Sequence, residues 1–229
     1  MIQLFDLALK DEAVRPSPYC WMVKFALLHK GLAFETRTVP FADKSKYPDP
    51  DYGKVPVLSC DGELVRDSQA IARWLDRKFP QNPLAGSKAE WAAAEFYLAW
   101  AGANLFPPIG RLIVLKILEH ARDDDKDYFR SSREARFGGP LEAYASTPGA
   151  GQAIENALTV LGKPLENSRY LGGAAPSLFD YIVFSAFMWQ RSVTLAELYE
   201  TPAAVIAWRE RMLDLFGGYA RNAKCAEAK

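Results

Sequence analysis

The chain has 229 residues, 49% hydrophobic and 24% charged, a composition that supports one sizeable core or two small ones and excludes intrinsic disorder. Lysine plus arginine and aspartate plus glutamate each total 28, for a formal net charge of +0, so no global field favours nucleic acid or an anionic membrane surface as a partner. The three cysteines, Cys20, Cys60 and Cys225, form no metal-ligand spacing and no even disulfide framework, which suits a reducing cytosol. With no basic-then-apolar leader, and no window near the roughly 18 uninterrupted apolar residues of a membrane span, a cytoplasmic protein without a metal is expected.

Residues 2–7 (IQLFDL) read as a short strand. A helix follows, with Ser17 on the N-cap, Pro18 at the first helical position, Val23, Ala26, Leu27 and Leu28 as apolar positions, and Gly31 as the stop. Residues 34–39 are strand-like, with Phe34, Thr36 and Thr38 on one face. Strand, helix, strand implies a right-handed crossover and a parallel pair. Residues 40–54 suggest a loop with one helical turn. Residues 55–59 and 63–65 flank Asp61-Gly62, a strong hairpin signal. Asp67-Ser68 caps a helix whose face is Ile71, Trp74, Leu75 and Phe79. Residues 81–87 then form a Pro/Gly/polar linker.

Beyond the linker the pattern is helical. Helices are expected over 91–121, interrupted near Pro107-Pro108, and over 128–146, 151–161, 180–190 and 203–216. The acidic run 123–127 reads as a solvated interhelical loop and not a metal site. His29 and His120 fall near helix C-termini, where they read as partners of the helix dipole and not as general bases. The expected fold is α/β plus all-α: a βαβ-ββα domain over 1–80 and an all-helical domain over 88–229.

Three places carry chemistry. Ser17-Pro18-Tyr19-Cys20 looks like a redox turn at a helix start with one sulfur replaced by a hydroxyl. The free N–H groups and positive dipole end there lower the pKa of a nearby thiol or hold a thiolate supplied from outside. Cys20 is thus a candidate nucleophile, although a cysteine at the third residue of a helix more often packs inward. Pro56 lies where a buried strand excludes proline: either its peptide bond is cis, turning the Val55 amide groups outward toward an extended peptide, or an edge strand begins at Pro56. Asp67-Ser68 offers a carboxylate, a hydroxyl and a helix N-terminus, which can hold a ligand bearing both ammonium and carboxylate, or can simply cap the helix.

In order and spacing, Ser17-Pro18-Tyr19, Val55-Pro56, Asp67-Ser68-Gln69-Ala70-Ile71 and Ser177-Leu178-Phe179-Asp180 resemble the glutathione S-transferase family over nearly the whole chain. The resemblance implies a thioredoxin-like first domain, glutathione as co-substrate and a homodimer. It implies that Ser17 donates to the glutathione sulfur, Val55, before Pro56, pairs with the cysteinyl unit, and Asp67 and Ser68 hold the γ-glutamyl end. Lys54, or Lys44 or Lys46, would meet the glycyl carboxylate.

A hydrophobic aromatic molecule would lie between the domains against Tyr19, Trp100, Phe106, Pro107, Ile109 and Trp189. Ser177 and Asp180 would form a capping box that serves folding. Among subfamilies the chain looks most like the etherase-like bacterial and fungal group, whose members attack aryl ethers. Two features depart from the pattern: Asp67 stands where many relatives carry Glu, and Ser17 where disulfide-reducing relatives carry Cys. The rival readings are a glutathione-dependent thiol oxidoreductase acting through Cys20 and a non-catalytic binder of aromatic ligands.

Overall fold

The computed structural model describes residues 1–227. Its first part contains β1 (Ile2–Leu7), α1 (Pro18–His29), β2 (Phe34–Val39), β3 (Val57–Cys60), β4 (Glu63–Arg66) and α2 (Ser68–Lys78). The sheet order is β2-β1-β3-β4, with β1 and β2 parallel and the other pairs antiparallel. The hairpin turns through Asp61 and Gly62, both at positive φ, the conformation a two-residue turn requires to match strand twist. The ladder begins at Val57, two residues later than expected, because Pro56 has no N–H to contribute. The Val55-Pro56 bond is cis.

Helix α1 is buried all round from Cys20 to Leu27, as expected of an apolar helix enclosed by two layers. One side faces the sheet and the other meets the helical part, where Phe25 stacks on Tyr181 at 5.7 Å and His29 Nδ1 lies 2.7 Å from the Tyr181 hydroxyl. Burial lowers the His29 pKa, which disfavours the cationic form expected of a dipole partner at the helix end. Lys24, inside the same apolar run, pairs with Asp6 of β1 at 2.6 Å with both side chains almost fully buried.

The second part comprises α3 (Lys88–Asn104), α4 (Phe106–His120), α5 (Lys126–Phe137), α6 (Leu141–Ser146), α7 (Ala150–Leu165), α8 (Leu178–Val193) and α9 (Ala203–Gly218). Helices α3 and α4 meet at 52° around Leu105. The single helix expected over 128–146 is two: Gly138, at φ +77°, ends α5, and Pro140 precedes α6. Asp123–Asp125 form a 3₁₀ turn, not a merely solvated loop. Asp125 is 1% exposed, and its carboxylate accepts the Ala42 N–H at 2.7 Å, tying the helical part to the loop after β2.

Helix α8 runs through the core. Its capping box is present, and the Asp180 carboxylate accepts from the N–H groups of Leu171 (2.8 Å) and Ser177 (2.9 Å), the Ser177 hydroxyl (3.0 Å) and the Trp208 indole (2.8 Å). One carboxylate thereby fixes the start of α8 and a buried tryptophan of α9.

Candidate functional site

Between the sheet part and the helical part lies a cleft of about 800 Å³, within the roughly 300–1,000 Å³ range of small-molecule sites. Ser17, Tyr19, Lys54 and Val55 line it from the sheet side, and Phe106, Pro107 and Trp189 from the helical side. With Lys44, eight of the site candidates read from the sequence thus share one cavity.

Ser17 is the N-cap of α1, with Pro18 fixing the first turn. Its side chain is 4% exposed, and its Oγ accepts the Cys20 N–H at 3.3 Å. A hydroxyl that accepts from the helix still has its own proton to donate. Tyr19 packs edge-on to Phe106 at 5.5 Å, and Phe106 in turn meets Trp189 at 6.4 Å, so an aromatic row crosses the cleft from one part to the other. Burial raises the Tyr19 pKa, which keeps the phenol a neutral hydrogen-bonding group.

Val55 lies outside the strands, and neither its N–H nor its C=O bonds to another backbone group among the described residues. The Pro56 carbonyl accepts the Asp67 N–H at 3.3 Å, which places the start of α2 against this loop. Asp67 and Ser68 do not line the cleft itself. Asp67 sits at φ +70°, ψ 137°, a conformation that costs a non-glycine residue about 1–3 kcal/mol and clusters at functional sites. Its Oδ1 accepts the N–H groups of Gln69 (2.9 Å) and Ala70 (3.2 Å), so the carboxylate does cap the helix. Its second oxygen takes part in neither bond. Ser68 is 2% exposed.

Cys20 is fully buried. Desolvation, followed by the neighbouring Asp6 charge, pushes its pKa well above the ordinary thiol value. A thiol held in that state is a poor nucleophile, and its inward packing is the reading the structure bears out.

Two expected wall residues lie off the cleft. On α4 the lining positions Phe106, Pro107, Gly110, Arg111, Val114 and Ile117 follow one helical face, and Ile109 turns the other way into the core at 0% exposure. Trp100 is two residues, about 200° of helical rotation, from Gly102, the α3 residue that does face the cleft. Of the lysines, Lys44 and Lys54 line the cleft, and exposed Lys46 does not. Lys44 Nζ donates to the Phe41 carbonyl (2.6 Å) and the Tyr47 hydroxyl (3.1 Å); burial, then the nearby Arg133 charge, lowers its pKa.

The sequence reading missed Arg111, Arg133, Arg136, Tyr128 and Tyr144, all of which face the cleft. On α5 the lining positions are Tyr128, Phe129, Ser132, Arg133, Arg136 and Phe137, and all but Tyr128 follow the i, i+3, i+4, i+7, i+8 stripe of one helix face. That stripe was available in the sequence once α5 is ended at Gly138. Among the described residues no cluster of three or more His, Cys, Asp or Glu side chains could hold a metal ion, and no single helix is long and apolar enough to cross a membrane.

A family model for the glutathione S-transferase N-terminal domain matches residues 13–83, and one for the glutathione S-transferase C-terminal domain matches residues 92–214. The chain belongs to the glutathione S-transferase family. Glutathione S-transferase 1 of Dianthus caryophyllus is 32% identical over 131 residues, covering 55% of this chain and 56% of that protein. A probable glutathione S-transferase GSTU1 of Oryza sativa subsp. indica is 28% identical over 180 residues, covering 77% and 69%. The chain spans about half the length of the first curated relatives it matches. Among solved structures, glutathione transferase GSTFuA3 of Phanerochaete chrysosporium superposes with a TM-score of 0.76 at 24% identity, over 95% of this chain and 92% of that one. A glutathione S-transferase of Ceriporiopsis subvermispora, solved in complex with glutathione, gives 0.74 at 20% identity, over 96% and 93%. At these identities the structural likeness concerns the fold.

Proposed function

We propose that the protein is a glutathione transferase in which the Ser17 hydroxyl donates a hydrogen bond to the glutathione sulfur and holds it as thiolate for attack on a hydrophobic aromatic electrophile. The observation that carries this reading is the Ser17 hydroxyl at the N-terminus of α1, facing a cleft that Val55 also lines and aromatic rings cross. Residues 1–80 serve as the glutathione-binding domain and 88–229 supply the second-substrate wall. Val55 pairs with the cysteinyl unit through its backbone, Asp67 and Ser68 hold the γ-glutamyl end, and Lys54 or Lys44 takes the glycyl carboxylate.

The magnitudes suffice. A thiol of pKa near 8.5 is only about 3% ionised at pH 7, and lowering it by about two units, roughly 3 kcal/mol, makes thiolate the main form. A hydrogen bond to a charged group contributes about 1.5–3 kcal/mol, and the helix N-terminus adds about 0.3–1 kcal/mol. Sulfur displacing an aryloxide at an aryl ether is one reaction within this class. The protein works in the cytoplasm as a homodimer, and the large exposed Phe96 on α3 offers an apolar contact for a second copy.

The test is conjugation of glutathione with 1-chloro-2,4-dinitrobenzene by the wild type, Ser17→Ala and Cys20→Ala. Ser17→Ala should lower kcat about 10- to 100-fold, the equivalent of one hydrogen bond to a charged sulfur, while glutathione affinity changes little. Cys20→Ala should keep its turnover. Unchanged turnover in Ser17→Ala removes Ser17 from the mechanism, and loss in Cys20→Ala revives the thiol oxidoreductase reading. Aromatic binding with no glutathione consumption across an electrophile panel would make the protein a binder.

A further inference from the structure

The helical wall of the cleft carries Arg111 on α4 and Arg133 and Arg136 on α5, and among the described residues none of the three has a carboxylate within ion-pair distance. The absence is selective. Arg130, one turn earlier on α5, is paired with Glu134 of the same helix and with Glu142 of α6, and neither of those acids lines the cleft. Among the described residues no aspartate or glutamate lines the cleft.

These guanidinium groups are positioned by aromatic rings. Arg111 lies 5.6 Å from the Tyr144 ring centroid, Arg133 lies 4.3 Å from that of Phe129 and 5.4 Å from that of Phe41, and Arg136 lies 5.9 Å from that of Phe137. The Nε of Arg111 is buried with no hydrogen-bond partner. Burial also lowers the Arg133 pKa, with the neighbouring Arg136 charge adding to it. Arg111 and Arg133 are half-buried and Arg136 is exposed; a partly desolvated cation without counter-charge is unfavourable until an anion arrives, and a guanidinium stacked on a ring presents its planar N–H fork to an oxyanion.

From this cluster we infer that the second substrate is an aromatic electrophile bearing a carboxylate, which Arg111 and Arg133, with Arg136 beside them, bind from the helical wall while the aromatic row receives the ring. The inference rests on the transferase reading and names its substrate class. Glutathione brings carboxylates of its own, but Lys44 and Lys54 stand on the sheet side of the cleft, with Val55. Arg133 lies close enough to Lys44 for its charge to lower that lysine's pKa, so the KM for glutathione is the readout that separates the two carboxylates.

The experiment compares 4-chloro-3-nitrobenzoate with its methyl ester. In both, the glutathione thiolate forms a C–S bond at the chlorine-bearing carbon, chloride departs with the bonding pair, and the thiol proton goes to solvent. Rates are normalised to the uncatalysed reaction. In parallel, equilibrium dialysis of each compound, with and without S-methylglutathione, measures binding without turnover. Wild type, Arg111→Met and Arg133→Met are compared after thermal melting shows each variant folded.

The expected result is an acid-over-ester preference of about tenfold or more in kcat/KM and in binding, the equivalent of one charge-assisted hydrogen bond, falling toward unity in each variant through KM. Equal or better use of the ester by an active wild type overturns the carboxylate site and leaves the transferase intact. A rise in the KM for glutathione, the same with either acceptor, assigns the arginines to glutathione and also overturns it. If neither compound is conjugated but dialysis still shows the arginine-dependent preference, the transferase reading falls and the anion site stands.

Discussion

On the sheet side of the cleft the groups that face a ligand are placed by the backbone: Ser17 by its N-cap position before Pro18, and Val55 by the loop that ends at Pro56. On the helical side they are long side chains on α4 and α5 whose direction depends on helical phase and on packing from a distance. The difference separates two ways of building a site. One wall is fixed by a few residues of local geometry and suits an invariant partner such as a peptide thiol. The other can be recomposed without disturbing the first, and suits the variable substrate.

The same contrast appears in two aspartates at helix starts, and breaking each should give very different losses. Asp180 is buried and its carboxylate accepts five donors, among them the indole of fully buried Trp208. Asp180→Ala removes the cap and orphans several of those donors, so a loss of about 3–5 kcal/mol is expected in urea unfolding. Asp67 is exposed and accepts two N–H groups in a strained conformation. Asp67→Gly should cost at most about 1 kcal/mol, because relief at positive φ offsets the lost cap, yet it should weaken glutathione binding. Similar stability losses in the two variants would erase the distinction between a folding carboxylate and a ligand carboxylate.

Gly110 sharpens the comparison from the helical wall. A Cβ added there would meet the Trp189 ring at 3.1 Å and the Tyr144 hydroxyl at 3.6 Å. Gly110→Ala should therefore push Trp189 into the cleft and lower kcat/KM for bulky acceptors by about tenfold relative to a small one. The KM for glutathione, which the proposed site assigns to the opposite wall, is the control. A matching rise in that KM would show that the two walls are not independent.

The backbone-built wall was legible in the sequence because its signals are chemical and local. Pro18, Gly31, Pro56 and Asp61-Gly62 each act through their own φ or missing N–H, and the elements they delimit fall within two residues of the reading. The side-chain wall was not. Arg130, Arg133, Glu134 and Arg136 look alike as charges on a solvated helix, and only the packing of α5 against the cleft separates the lining pair, Arg133 and Arg136, from the ion-paired Arg130 and Glu134. Trp100 and Ile109 failed for the same reason: composition marked them as apolar, but helical phase sent them elsewhere. The six-residue α6 is too short to show a period of its own.

The joint between the walls should answer to acid, with the smallest effect of all. His29 of α1 meets the Tyr181 hydroxyl of α8 at 2.7 Å, and burial lowers its pKa. The folded state therefore binds its proton less readily than the unfolded chain, whose histidine titrates near pH 6.5. Stability then rises with pH wherever the unfolded state holds more protons. The contribution is fully present above about pH 6.5 and is lost as pH falls from there through the lower folded value, at no more than about 1.4 kcal/mol per pH unit. Urea titrations at pH 7.5 and 5.5 should show a drop that His29→Gln diminishes. A drop of equal size in the variant would place the acid sensitivity in the carboxylates, and a gain in stability on acidification would mean that His29 is held as the cation at the helix end after all.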